Sequence, residues 1–215
     1  MSYLSRLKLK FKFNSPVRLI FDGLRRFGFS VLPYYLMRET ADDAESGAKT
    51  AAVQPITAVF RRLNKSELQA LPDTELAYLS EEWITRRFDH GDFCLALLID
   101  SQVAAICWAS RTEAILVFEA IPLRTSEAYI YAAHTMSEFR GRGLMPLLRR
   151  ELCCQLNAGG ATDMYSLVDS LNRPANKVYE KMSASKVQSG VAFSLFGVLN
   201  SRISFRNYEP GFGDR

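Results

Sequence analysis

Strand-like and helix-like segments alternate through the second half of the chain, and that alternation predicts an α/β (α+β) domain. Three observations carry it. Residues 127–135 (EAYIYAAHT) are rich in aromatic and small apolar residues, as a strand is. From Leu144 to Asn157, Leu144, Leu147, Leu148, Leu152 and Leu156 recur at helical spacing on one face, with Arg149, Arg150 and Glu151 on the other. Residues 163–169 (DMYSLVD) read as a buried strand, and Asn172–Met182 as a second amphipathic helix, with Asn172 a natural N-cap and Ala175, Val178, Tyr179 and Met182 in one stripe. With 215 residues and 48% of them hydrophobic, the chain has material for one substantial core plus extensions.

Taken in order, residues 1–38 form a basic N-terminal extension. Its first 28 residues hold seven basic side chains against Asp22, a net +6, so the whole-chain charge of +4 leaves −2 for the rest. Lys8–Phe13 alternates basic and apolar residues, and Val17–Phe29 has the pattern of a basic amphipathic helix. Two readings stay open: a membrane-surface or partner-docking element, in which each basic residue near an anionic leaflet contributes about 1 kcal/mol, or a solvated face whose apolar side packs on the domain. Residues 39–55 are polar, small and unpatterned and read as a linker. The domain proper is placed at 56–200. It starts with a strand near 57–63, helices between 66 and 88, and a hairpin of strands 93–100 and 103–110 joined at Ser101-Gln102. Apolar strands from about 186 to 205 close it, and 201–215 are set apart as a C-terminal tail.

Composition removes several classes of function. No uncharged apolar run reaches the roughly 18 residues that cross a bilayer, and the N-terminus lacks a compact apolar leader with a cleavage site, so a cytoplasmic protein is expected. Cys94, Cys107, Cys153 and Cys154 have neither the spacing nor the histidine partners of a zinc site, and read as reduced core or helix cysteines. With only His90 and His134 present, no metal is expected. No G-x-S-x-G hydrolase elbow occurs. Charge alone would admit nucleic acid, but no recognition motif stands behind it, so nucleic acid is not expected as a partner.

The segment between the 127–135 strand and the following helix carries two spaced glycines, Gly141 and Gly143, in S-E-F-R-G-R-G-L. A helix's first turn leaves backbone N–H groups without intrahelical partners, and with the helix dipole these favour an anion. Glycines let a phosphate approach that backbone closely. Pro146 has no N–H to offer but is tolerated in a first turn. The amides of about Gly141 to Met145 would therefore face a pyrophosphate. A plain glycine turn opening an ordinary helix is the alternative. The dinucleotide fingerprint G-x-G-x-x-G fails at Pro146, and no Gly-Lys-Ser/Thr follows as a P-loop requires.

The loop resembles the Q/R-x-x-G-x-G/A motif of the GCN5-related N-acetyltransferase (GNAT) superfamily. Registered on Gly141 and Gly143, Glu138 stands where Gln or Arg is usual; registered on Arg140 and Gly143, Met145 stands where Gly or Ala is usual. Downstream, Val168, Asn172, Ala175 and Tyr179 fill all four places of the V-x-x-x-N-x-x-A-x-x-x-Y pattern of that superfamily, while Ser183-Ala184 replace its usual Gly-Phe. The resemblance covers about 56–200 and implies the GNAT fold: a mixed, mostly antiparallel sheet flanked by helices, in which the fourth strand splays from the fifth. It implies acetyl-CoA or another acyl-CoA as co-substrate and direct acyl transfer to a primary amine of a small molecule or peptide. On this resemblance Arg140, Gly141, Arg142, Gly143, Leu144 and Met145 would hold the pyrophosphate. Ala133, His134 and Thr135 would meet the pantetheine arm, Asn172 would lie at the cofactor, and Tyr179 would protonate the leaving thiolate or simply be a core tyrosine. Eleven residues before Glu138, Glu127 is either the general base or a solvated strand-edge residue. His134 is the other base, or else a substrate contact or a satisfied core histidine. A non-catalytic CoA-binding sensor is the competing class. The family also admits homodimers through exchange of late strands.

Overall fold

The computed structural model describes residues 21, 23–42, 58–71, 76 and 79–205. The Lys8–Phe13 alternation, residues 17–20 and 22 of the expected 17–29 helix, linker residues 43–55 and tail residues 206–215 lie outside the described residues; within that expected helix 21 and 23–25 are helical, and 26–28 form a turn. The chain divides into two compact units.

The larger unit takes in Glu39–Ser166 and Lys181–Ala184. Its sheet runs in the order β2 (Ala58–Leu63), β3 (Phe93–Ile99), β4 (Gln102–Ser110), β7 (Glu127–Thr135), every neighbour antiparallel. The start of β8 (Asp163–Asp169) then pairs parallel with the start of β7. β3 and β4 are near-continuous apolar runs because both their faces are covered: from Ala104 to Ala109 each side chain is fully buried. The β3–β4 turn is at Asp100-Ser101, one residue before the predicted position. Both residues have φ > 0 (49° and 66°), the geometry that matches the twist of a two-residue hairpin.

Helix ends follow local capping chemistry. Asn64 accepts the Glu67 amide while Glu67 reaches back to the Asn64 amide, opening α1 (Lys65–Gln69); Ser80 accepts the Trp83 amide and opens α2 (Glu81–Asp89). A small hairpin of β5 (Glu113–Leu116) and β6 (Glu119–Pro122) was not legible in the sequence pattern. The helix α3 (Leu144–Ala158) buries Leu144, Leu148, Leu152 and Leu156 as its periodicity predicts. Arg149 departs from the prediction. Instead of lying on the polar face it is buried, ion-paired with Glu39 and donating to Ser166 Oγ at 2.9 Å. It flanks Leu148 and Leu152 on the helix surface, and a charge can be buried there because a carboxylate and a hydroxyl meet it.

The smaller unit combines the N-terminal segment through Arg38 with Leu167–Glu180 and Ser185–Arg215. β1 (Phe29–Glu39) pairs antiparallel with β9 (Ser185–Leu195), which pairs with β10 (Leu199–Phe205). Residues 29–38, read from sequence as part of a basic extension, are therefore a strand of this unit, and the boundary at 200 falls inside β10. The upstream cluster of lysines and arginines hid the apolar run FSVLPYYLM. Tyr34 crosses to Gly190 on β9: a Cβ at Gly190 would come within 2.5 Å of the Tyr34 hydroxyl, which also bonds Ser204 Oγ at 3.2 Å. Among the described residues no helix is long and apolar enough to cross a membrane.

Candidate functional site

A short 3₁₀ turn, Ser137–Phe139, leads from β7 into the glycine loop. Gly141 has φ +79° and Gly143 φ +72°, left-handed angles that cost any other L-residue about 1–2 kcal/mol. A Cβ built on either would meet nothing within 4 Å. The glycines are thus required by backbone angle, and the space beside them is open. Gly143 is the N-cap of α3 and supplies no side-chain cap, so the first amides of a 15-residue helix are presented uncapped at its positive end. Pro146 and Leu144 are both buried in the first turn. Two arginines brace the loop. Arg140 Nε donates to the Thr135 carbonyl at 2.9 Å; Arg142 Nη2 donates to the Glu138 carbonyl at 3.2 Å and its guanidinium lies 5.2 Å from the Phe139 ring centre. Together these features leave open space beside two left-handed glycines at the positive end of a helix, a setting that favours an anion.

Just upstream, β7 carries a feature that sequence reasoning missed. Tyr131 pairs with Trp108 and His134 with Ile106, so Cys107 alone opposes both Ala132 and Ala133. That is a β-bulge, and Ala132 takes φ +47° to make it. Cross-strand partners share a face, so His134 emerges on the same side of the sheet as Tyr131. Ala133 is exposed, while His134 and Thr135 are half-buried. The parallel ladder between β7 and β8 covers Glu127–Tyr129 with Asp163–Tyr165, three of the nine residues of β7. Glu127 lies at the opposite end of the strand, six residues or roughly 20 Å from Ala133 at about 3.3 Å each. It is not the solvated edge residue expected: its carboxylate is buried, because it turns back to accept the Arg124 amide at 2.8 Å.

In the smaller unit, Asn172 Oδ1 accepts the Ala175 amide at 3.3 Å and caps α4 (Arg173–Lys181), as its position in the motif predicts. Tyr179 is the buried residue of that helix. After it, Ser183 adopts φ +55°, the left-handed angle for which glycine is the usual residue.

The larger unit also holds a cavity of about 190 Å³ lined by Trp83, Arg87, Glu113, Ile115, Tyr129 and Tyr131. Tyr129 and Tyr131 stack with ring centres 5.6 Å apart, and Trp83 meets Tyr131 edge-on at 6.1 Å. Buried Arg87 lies 5.5 and 5.3 Å from the Trp83 and Tyr131 ring centres and faces two carboxylates, Asp92 at 3.6 Å and Glu113 at 3.4 Å. The Tyr131 hydroxyl donates to Asp92 Oδ2 at 2.6 Å; burial, then this bond to a carboxylate, holds the phenol far above the ordinary tyrosine range. The alternation of Tyr129 and Tyr131 and the i, i+4 spacing of Trp83 and Arg87 were the signals available in the sequence.

The chain belongs to the acetyltransferase (GNAT) family, whose model matches residues 57–184. Its fold is shared with a GCN5-related N-acetyltransferase from Kribbella flavida (13% identity over 80% of this chain and 62% of that one, TM-score 0.52) and with a GCN5-related N-acetyltransferase-like protein from Streptococcus suis (13%, 83% and 67%, TM-score 0.55). A tandem GNAT protein of clavulanic acid biosynthesis shares it too (14%, 83% and 57%, TM-score 0.52). The chain spans only 57% of a Drosophila protein and 66% of a Staphylococcus epidermidis protein with the same fold. No curated protein matches it in sequence. The mixed, mostly antiparallel sheet flanked by helices is the architecture that the motif resemblance implies.

Proposed function

We propose that this chain is an N-acyltransferase, acetyl-CoA or a close relative serving as donor and a primary amine as acceptor. The observation that carries the reading is the Gly141/Gly143 loop: two left-handed glycines, open space beside both, and an uncapped 15-residue helix. These residues fit a pyrophosphate, with the amides of Gly141 to Met145 as donors and Arg140 and Arg142 adding positive charge. Acyl-CoA, when bound, supplies an activated acyl group as a thioester. In this reading backbone groups around Ala133–Thr135 would hydrogen-bond the pantetheine arm or polarise the thioester carbonyl.

The amine must surrender a proton to attack. His134 is the proton acceptor in this reading, since the bulge turns it to the face of Tyr131, whereas Glu127 is committed to capping Arg124. A C–N bond forms and a C–S bond breaks; one proton leaves nitrogen and one reaches sulfur, the latter from Tyr179, the motif tyrosine of α4. Asn172 contributes by fixing the start of that helix. Isothermal titration with acetyl-CoA tests the donor site, and absence of binding up to roughly a few hundred micromolar ligand overturns it. Tyr179→Phe should lower turnover on a responsive amine by about 10²- to 10⁴-fold. Binding without transfer across an amine panel would make the chain a CoA-binding sensor.

A further inference from the structure

The cavity between α2, β5 and β7 is unlike the glycine loop in chemistry and sits beside the bulge, Tyr131 being the residue before Ala132. Its walls are three aromatic rings and Ile115. Its charges do not cancel: Arg87 contributes one positive charge, while Asp92 and Glu113 contribute two negative ones. Asp92 accepts the Tyr131 hydroxyl and its side chain is fully buried, so it serves to hold Arg87 and Tyr131 in place. Glu113, with 24% of its side chain exposed, is the carboxylate that lines the cavity itself. Aromatic faces and one surplus carboxylate favour a cation. The volume of about 190 Å³ compares with the roughly 150 Å³ apolar cavity that accepts a benzene ring.

We propose that this cavity receives the acyl acceptor, and that the acceptor is a primary amine carried on a flat, ring-sized apolar body, with the ring against Trp83, Tyr129 and Ile115 and the ammonium toward Glu113. The proposal rests on the acyltransferase reading for the word acceptor, but the binding site it describes stands apart from the donor loop. An alkylamine without a ring leaves the aromatic walls wet. A ring bearing a carboxylate instead meets Glu113 as a like charge, since Arg87 is already countered twice.

Of the chain's two tryptophans Trp83 lines this cavity and Trp108 meets Trp83 with ring centres 5.1 Å apart, so intrinsic fluorescence reports the cavity's occupancy. The full chain is titrated without acyl-CoA with phenethylamine, phenethyl alcohol, n-butylamine and phenylacetate. Phenethylamine should bind most tightly, and Glu113→Gln should weaken it about tenfold or more while leaving phenethyl alcohol unchanged, the range of a lost hydrogen bond to a charged group. Ile115→Trp, which fills the cavity and keeps every charge, should abolish binding of both ring compounds with acetyl-CoA binding retained. Because Glu113 also meets Arg87, thermal unfolding of each variant is recorded alongside, and the Ile115 result decides the matter if Glu113→Gln does not fold. Preference for n-butylamine or phenylacetate, no saturable fluorescence change with any probe, or phenethylamine binding that survives Ile115→Trp overturns the proposal. Acetyl-CoA calorimetry on the same sample reports the donor site separately, so failure of one reading is not mistaken for failure of the other.

Discussion

Tyr131 and His134 face the same side of the sheet although they stand three positions apart in the chain. In a regular strand an odd separation puts two side chains on opposite faces. Here the extra residue opposite Cys107 restores them to one face, the face of Trp108 and Ile106. The imidazole thereby joins the aromatic cavity side instead of the far side. His134→Gln should lower kcat/KM for acyl transfer by about 10²- to 10⁴-fold with little change in thermal unfolding. Ala132→Val should do similar damage to turnover while also destabilising the fold by about 1–3 kcal/mol, because a β-branched residue is poorly suited to φ +47°. Full activity in His134→Gln would remove the imidazole from the proton path.

The glycine loop separates a backbone cost from a ligand cost. Gly143→Ala has room for its Cβ in the free protein but strains the +72° angle, so urea unfolding should show a loss of about 1–2 kcal/mol. In the proposed donor site the same methyl would stand where the phosphate approaches. Acetyl-CoA affinity should therefore fall by more than the stability loss explains, and an unchanged affinity would place the pyrophosphate elsewhere.

Arg149 and Glu39 form a buried ion pair within the larger unit, with Ser166 as a third member. Removing one partner leaves the other charge buried and uncompensated, so Arg149→Met should destabilise by about 3–5 kcal/mol in denaturant unfolding. The double variant Arg149→Met/Glu39→Leu should recover most of that loss, since a well-packed apolar pair substitutes for a buried ionic one.

Burial and the bond to Asp92 keep the Tyr131 proton bound in the folded state beyond the range in which an unfolded tyrosine loses it. The folded pKa is raised, so the associated stability is complete below about pH 10, where the unfolded phenol still holds its proton, and is lost as pH climbs above that value. Urea unfolding at stepped alkaline pH should show the wild type losing stability more steeply above about pH 10 than Tyr131→Phe, by up to about 1.4 kcal/mol per pH unit. Parallel curves for the two proteins would show that Tyr131 ionises freely in the fold.

Most of the larger unit was legible because its elements have clean periodicities. The 127–135 and 163–169 strands and the 144–157 helix fall where apolar spacing puts them, the helix running one residue further to Ala158. Three things were not legible, each for a physical reason. The bulge at Ala132 leaves no mark in a run of small residues, since its register is set by the facing strand. β1 was masked by the charge of the residues before it and pairs with β9, more than 140 residues away in sequence. The burial of Arg149 depends on Glu39, 110 residues distant in sequence. Of the candidate site, the glycines and the cap at Asn172 were readable from local chemistry, but the aromatic cavity arises from three elements that only the fold brings together.

Ser183 offers a test of the motif's one clear departure downstream. The family resemblance expects Gly-Phe after the tyrosine helix, and this chain has Ser183-Ala184, yet the backbone at 183 keeps the left-handed angle of +55°. A serine there carries a steric cost that glycine avoids, while glycine gives the unfolded chain more entropy; the angle term of about 1–2 kcal/mol exceeds the roughly 0.5–1 kcal/mol entropic one. Ser183→Gly should thus stabilise the protein by up to about 1 kcal/mol, read as a rise in the urea midpoint with unchanged slope. Ser183→Val should lose stability at the same position, as a β-branched side chain tolerates that angle least. If glycine destabilises and valine is neutral, the turn after α4 is not held in the left-handed form in solution.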